Sequence, residues 1–338
     1  MAVYQFPRSA ELSEIAQKML PVLTMDDPIS KILPTREVQD SLIMWDQADD
    51  YIGLQEVRGL NGAPGRVARV GAKRYIMEPG YYGEYQVIDE QELTQRAKLG
   101  SFAERVNIED LVVKATENLL HRRINRLRVI GWNLLTTGTF SVSKPDGGVV
   151  HTDTFSLQTS SGSTWATAST ATPLADFRAV QLLSRGYSVK FDDRATAYMN
   201  RATWNYMIAN TNAADLYGRR ISGLATAENV GEVNKILMGD GLPGIEIYDD
   251  GYHNSSGVWT PFIPVNKVVV VGQRTDGSPI GEYLMTANVN SDKGYGSYTT
   301  VVDSIEGQNP VPRQISVHDG HNGGPKIDFP SGIAILSV

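Results

Sequence analysis

Cysteine is absent from the chain, which excludes disulfides, thiolate nucleophiles and cysteine-ligated zinc together and leaves noncovalent packing to hold the fold. Long apolar runs are missing as well. The longest uninterrupted aliphatic stretch, Val268 to Val271, falls far short of the ~18 residues that a spanning helix requires, so no membrane segment is expected. The opening residues, MAVYQFPRSAEL, lack the charged and apolar regions of a secretory leader, so folding in a cytoplasm is expected. Excess positive charge is lacking too: a formal net charge of −7 repels polyanions unless a local basic patch overrides it, which disfavours general nucleic-acid binding. What is present is ordinary. The 338 residues are 41% hydrophobic and 20% charged, enough for two modest domains or one domain carrying extended arms.

Along the chain, Leu12, Ile15, Ala16, Met19 and Leu20 recur at helical spacing and end at Pro21, predicting a short amphipathic helix that needs a surface to bind. The stretch to about residue 51 has weak periodicity and reads as an extended arm. From Ile52 to Glu92, strand-like residues alternate with glycine, and Gly59, Gly62, Pro64 and Gly65 mark the tip of a long hairpin, which is marginal without outside support. The strongest element runs over 103–137, where Leu111, Val112, Ala115, Leu119, Ile124, Leu127 and Leu134 keep a helical stripe up to a C-cap at Gly138. Its acids come early and Arg122, Arg123, Arg126 and Arg128 later, an order that suits the helix dipole. A Ser/Thr/Gly-rich connector around Trp165 predicts a boundary. Thr172 and Pro173 then open a helix to Leu183, followed by a strand at 196–199, helices at 201–209 and 227–238, and strands at 245–248, 258–263 and 267–272. The last third is β-rich and ends in a terminal strand through Ile333, Ile335 and Val338.

Chemistry is sparse. Asp249, Asp250 and His253 fall within one turn and suit a metal ion, as in a metal-dependent hydrolase, but their neighbours are turn formers and a structural turn is the preferred reading. His318 and His321 flank Asp319 at ligand spacing, yet a glycine-rich loop holds ligands poorly. His121 and His151 read as structural. The GLNGAPGR segment lacks the Gly-Lys-Ser/Thr of a phosphate loop, and no nucleophile elbow is present. The run HRRINRLR is the one nucleic-acid candidate; a solvated or intersubunit helix face with carboxylate partners is preferred. No catalytic, cofactor or metal site is expected.

Four blocks together resemble the lambda-type major capsid protein family of tailed phages, with its Hong Kong 97-type fold. They are MEPGYYGEYQVI from Met77, SSGSTWATASTATPLADFRAV from Ser160, GIEIYDDGYHNSSGVWTPFIPVNKVVVVGQ over Gly244 to Gln273, and the tail with Pro325 and Pro330. With the long helix they cover roughly two thirds of the chain. The resemblance implies an α+β fold with an N-terminal arm (1–51), an extended loop (52–92), a peripheral domain (93–172) holding the spine helix, an axial domain (173–290) and a return to the peripheral domain (291–338). It implies a non-enzymatic subunit that assembles into pentamers and hexamers of an icosahedral virion shell, built in the host cytoplasm. Scaffold, portal and decoration proteins would be partners, and packaged double-stranded DNA would fill the lumen without specific binding. Inter-subunit candidates are Leu12, Ile15 and Met19 on the arm, Gly59, Gly62, Pro64, Gly65 and Arg66 at the loop tip, and Arg122, Arg123 and Arg126 on the spine. An encapsulin-like nanocompartment shell is the related alternative.

Overall fold

The computed structural model describes residues 18–19, 26–48, 54–55, 57–63, 71–89, 92, 108–143, 148–209, 230–254, 256–274, 277–303 and 314–338. The chain divides into two compact units, one made of Met1–Ile43, Met77–Arg128 and Tyr283–Pro325, the other of Met44–Ile76, Val129–Glu282 and Lys326–Val338. Among the described residues no helix is long and apolar enough to cross a membrane.

In the first unit, the stretch read as extended arm is partly folded. Asp27 accepts a hydrogen bond from the Ile29 amide at 3.2 Å and Pro28 fills the first turn, so α1 (Pro28–Ile32) starts where an N-cap and an N1 proline direct it. Ile29, Ile32 and Leu33 are buried, and β1 (Thr35–Glu37) pairs in parallel with β13 (Gly281–Met285). Within the rest of the expected arm, Leu12 and Ile15 lie outside the described residues, while Met19 is half-buried.

The spine helix α2 (Ile108–Thr137) is present, running ~45 Å at about 1.5 Å per residue; residues 103–107 of the expected helix lie outside the described residues. It ends at Gly138, whose φ of +73° and amide bond to the Leu134 carbonyl (2.8 Å) make a left-handed cap. The dipole reading of its charges is corrected. Glu109 and Asp110 do occupy the first turn, but no basic residue stands in the last; the arginines stop at Arg128, and Arg122, Arg123 and Arg128 face carboxylates elsewhere in the fold.

Two of those carboxylates, Glu84 and Asp319, come from a sheet whose centre is β15 (Ile315–Ile327), antiparallel to β4 (Gly80–Ile88) on one side and β14 (Ser297–Asp303) on the other. Two expectations change here. Residues 80–88 belong to this sheet and not to the extended loop. His318 and His321 stand on a 13-residue strand where a glycine-rich loop was expected. The glycines are there for close approach: a Cβ on Gly320 would lie 2.4 Å from the Tyr82 carbonyl oxygen, and one on Gly323 2.4 Å from that of Leu284. Ile88, Ile315 and Val317 pack with Val112, Ala115 and Leu119 of α2 in one apolar cluster.

The second unit is built on a five-stranded sheet in the order β7 (Gln158–Ser161), β16 (Ile333–Ser337), β12 (Lys267–Val271), β8 (Thr196–Met199), β9 (Gly244–Ile247). The terminal strand therefore does not return with 291–338 as one block; it lies between β7 and β12. One sheet face carries Val268, Val270, Ala197, Met199 and Leu336 and is covered by Phe177 of α3 (Pro173–Leu183), Trp204 of α4 (Arg201–Ile208) and Leu237 of α5 (Val230–Gly239). On the other face Val269 is fully buried and the Tyr198 ring meets Trp132 at 5.4 Å. Burial on both faces explains the unbroken valine run of β12. Residues 227–229 of the expected third helix lie outside the described residues.

The connector read as a boundary is a pinned corner. Oδ2 of Asp176, on α3, accepts hydrogen bonds from the Ser163 amide (3.1 Å), Ser163 Oγ (2.6 Å) and Trp165 Nε1 (2.8 Å), with Trp165 buried. Three hairpins complete the unit: β2 (Ile43–Ala48) with β3 (Ala72–Met77), β5 (Thr139–Ser143) with β6 (Val149–Thr154), and β10 (Gly251–His253) with β11 (Trp259–Pro261).

Candidate functional site

The β2–β3 hairpin has a fixed base and a bare tip. Trp45 is buried, stacks on Tyr75 (5.1 Å) and Phe155 (6.1 Å), and donates from Nε1 to the Ile327 carbonyl at 3.1 Å. Arg74 forks onto Asp46 (2.7 and 2.9 Å) on the exposed surface. At the tip, the Gly62 amide donates to the Gly59 carbonyl at 2.9 Å across a turn in which Asn61 takes a φ of +66°, and Arg58 reaches the Gly62 carbonyl at 3.1 Å. Around this turn Leu54, Val57 and Leu60 are 98–99% exposed. Single exposed apolar residues are common on any surface, but three bare ones within seven positions are a concentration of apolar side chains that water does not favour. Pro64, Gly65 and Arg66 lie outside the described residues.

The arginine run takes another course. Helix α2 lies along β4 and β15, and the ~21 Å it climbs between Val112 and Arg126 matches the ~20 Å between Ile88 and Tyr82 on the strand. Apolar contacts near Val112 therefore give way, in step, to ionic ones. Asn118 donates to Gln86 at 3.0 Å, and Arg122 forks onto Glu84, with one bond at 2.9 Å. Arg123 Nη1 donates to Asp319 Oδ1 at 3.0 Å, and Thr299 Oγ1 donates to the same oxygen at 2.8 Å. Arg126 lies 5.7 Å over the Tyr82 ring, and Arg128 donates to Asp27 at 2.7 Å. The Arg122 guanidinium holds the Glu84 carboxyl below its usual range, whereas burial pushes Asp319 up despite Arg123. His321, buried between Tyr82 and Tyr283, is held neutral, its pKa lowered to about 3 by burial and then by Arg123 and Arg126. Burial also raises Tyr82 to about 12. With its side chain 5% exposed, Arg123 serves its own chain and is withdrawn as an inter-subunit candidate; Arg122 and Arg126 remain exposed.

A second surface escaped the sequence reading. Residues of β4 and β14 opposite the same β15 residue share a face, and those turned away from α2 form the rows Val87–Ser316–Val302, Tyr85–His318–Thr300 and Gly83–Gly320–Tyr298. Tyr81 is 72% exposed, Tyr85 65% and Val302 52%. Tyr85 stacks on His318 at 5.2 Å. The signal was available in GYYGEYQVI, where tyrosines occupy both parities of one strand, so one of them had to face away from the helix.

The metal candidates do not converge. Odd residues of β15 face α2 and even ones face away, so His318 and His321 point to opposite sides of the sheet. Asp249 accepts a bond from the Arg201 amide at 3.3 Å, as a cap-side carboxylate does, and Asn254 holds its turn by accepting from the Ser256 and Val258 amides. Among the described residues no group of three or more His, Asp or Glu side chains is placed to hold a metal ion.

Comparison with solved structures defines the class: an α+β chain with the fold of phage capsid proteins. The fold is similar to that of an Escherichia coli CFT073 prophage protein assigned as a capsid protein (TM-score 0.58, 13% identity, 96% of this chain and 98% of that one). It is similar to a phage-related protein of Bordetella bronchiseptica RB50 (TM-score 0.57, 8% identity, 99% and 98%) and to the capsid of a native GTA particle (TM-score 0.51, 14% identity, 91% and 89%). Residues 30–314 match the family described as phage major capsid protein E, and the chain belongs to that family. Its function is that of a structural major capsid protein, a part of the virion and not an enzyme.

Proposed function

We propose that this chain assembles with copies of itself into pentamers and hexamers of an icosahedral shell enclosing double-stranded DNA. In this reading the fold is of Hong Kong 97 type, with the first unit as peripheral domain and the β7–β9 sheet with its helices as axial domain. The observation that carries it is the bare hairpin tip: Leu54, Val57 and Leu60 are 98–99% exposed, while Trp45 at the strand base is buried and bonded to the Ile327 carbonyl. A neighbouring copy covers these side chains. The Tyr81–Tyr85–Val302 face is a second surface for such contact, and the arm segment with Leu12, Ile15 and Met19 a third. Interfaces of about 2,000 Å² repeated around a shell give large collective stability from modest individual contacts.

Arg122 and Arg126 stand at the exposed margin of α2, where Glu84 and Tyr82 leave their outer edges open to a neighbour. Scaffold, portal and decoration proteins are further partners, met in the host cytoplasm during assembly. The net charge of −7 suits a lumen that holds DNA without gripping it. Electron microscopy and sedimentation of the purified chain test the proposal: capsomers or shells are expected, and deletion of 55–68 abolishes them. A chain that stays a monodisperse monomer in every salt and scaffold condition overturns it.

A further inference from the structure

We propose that Asn61 is a site of spontaneous deamidation, its side-chain amide displaced by the backbone nitrogen of Gly62 at the hairpin tip.

The dipeptide Asn-Gly occurs twice in the chain, at 61–62 and at 322–323. Glycine after asparagine favours cyclisation because no side chain shields its nitrogen and its backbone reaches the closed geometry freely. Sequence alone ranks the two sites equally; the fold separates them. Asn322 lies within β15, where its carbonyl accepts from the Thr286 amide (2.9 Å) and its Nδ2 donates to the Ala287 carbonyl (2.8 Å). Gly323 is paired with Gly80, and its α-carbon faces the Leu284 carbonyl so closely that an added carbon would sit 2.4 Å away. Ring closure at Asn322 requires these strands to part. Asn61 is exposed, and among the described residues the Gly62 nitrogen is engaged by a single turn bond, to the Gly59 carbonyl. Asn61 holds a left-handed turn position, φ +66°, that asparagine tolerates, and opening this turn breaks that one backbone bond where opening β15 breaks a sheet.

The step balances without any added reagent but water. The Gly62 nitrogen attacks Asn61 Cγ; the new C–N bond forms, the Cγ–Nδ2 bond breaks, and the proton of Gly62 leaves with the departing ammonia, giving a cyclic imide. Water then adds to either imide carbonyl and opens the ring to aspartate or to isoaspartate, whose main chain runs through the former side chain. One negative charge is gained beside Arg58, whose Nη1 lies 3.1 Å from the Gly62 carbonyl.

The test is independent of shell assembly, because it uses the unassembled full-length chain. Incubation in warm, mildly alkaline buffer, followed by peptide mapping and isoaspartyl methyltransferase labelling, is expected to show a gain of about one dalton in the peptide holding Asn61. The native chain should react at Asn322 at least about tenfold more slowly, and the denatured chain should react at both. Asn61→Gln removes the signal, and Gly62→Ala slows it. Equal reaction at both sites in the native chain, or an unreacted Asn61 beside a reacting denatured control, overturns the proposal.

Discussion

Arg123 and Asp319 meet at 3.0 Å with both side chains 5% exposed, joining α2 to the middle strand of the first unit's sheet. Asp319 also takes the Thr299 hydroxyl at 2.8 Å. Asp319→Ala strands a buried cation and is expected to cost about 3–5 kcal/mol in urea unfolding of the unassembled subunit, whereas the double variant R123M/D319L recovers most of that loss. A double variant no more stable than Asp319→Ala would show that the pair's partners, and not its charges, set the cost.

His321 predicts an acid limit to subunit stability. It is neutral in the fold, with a pKa of about 3, but protonates near 6.5 when unfolded. Its contribution is therefore whole above about pH 6.5 and is lost as pH falls toward 3, by up to ~1.4 kcal/mol per unit. Glu84, lowered by Arg122, acts in the same sense at lower pH, and Asp319, raised by burial, acts against it. Between about pH 6.5 and 4.5 the fall in melting temperature should belong to His321, partly offset by the raised Asp319. His321→Asn should flatten it; an unchanged slope would assign the acid sensitivity elsewhere.

Gly138 closes the spine helix at φ +73°, and an added Cβ would lie 3.2 Å from the Phe155 carbonyl oxygen. Gly138→Ala is expected to cost ~1–2 kcal/mol by chemical denaturation. Gly186→Ala, at φ +86° with nothing within 4 Å, should cost less. Equal losses would mean that the backbone angle alone matters.

One oxygen of Asp176 serves three donors, two from Ser163 and one from Trp165. Asp176→Ala should destabilise the second unit by about 3 kcal/mol and shift the Trp165 fluorescence to longer wavelength as the corner admits water. Unaltered emission would place the anchor of that corner in Trp165's apolar contacts.

At the hairpin tip, Leu54, Val57 and Leu60 are 98–99% exposed, so replacing them with serine removes little packing among the described residues. The subunit's unfolding free energy should stay within about 0.5 kcal/mol of the parent, while capsomers fail to form by sedimentation. Normal assembly of this triple variant would move the contact to another surface.

Local signals were legible where one rule sufficed. The α2 stripe ends at Gly138 as read, Pro173 opens α3, and 196–199 is the strand expected, because periodicity, capping and turn chemistry act within a few residues. The polar connector at 160–172 misled because its anchor is Asp176, on the next helix. The glycines of VHDGHNGGP misled in the same way, since their cause is the Tyr82 and Leu284 carbonyls, distant in sequence.

By itself, the order of residues determined that the chain folds without disulfides, that a long amphipathic helix leads into alternating strands and helices, and that a glycine-tipped hairpin carries apolar residues. Tertiary structure alone decided which arginine is buried and which is open. Arg122 and Arg123 are neighbours of identical chemistry, yet the 100° turn per helical residue and the register of β4 on β15 send one to exposed Glu84 and the other to buried Asp319. Charge is a property of the residue, but its solvation, and so its role, depends on what the fold brings against it.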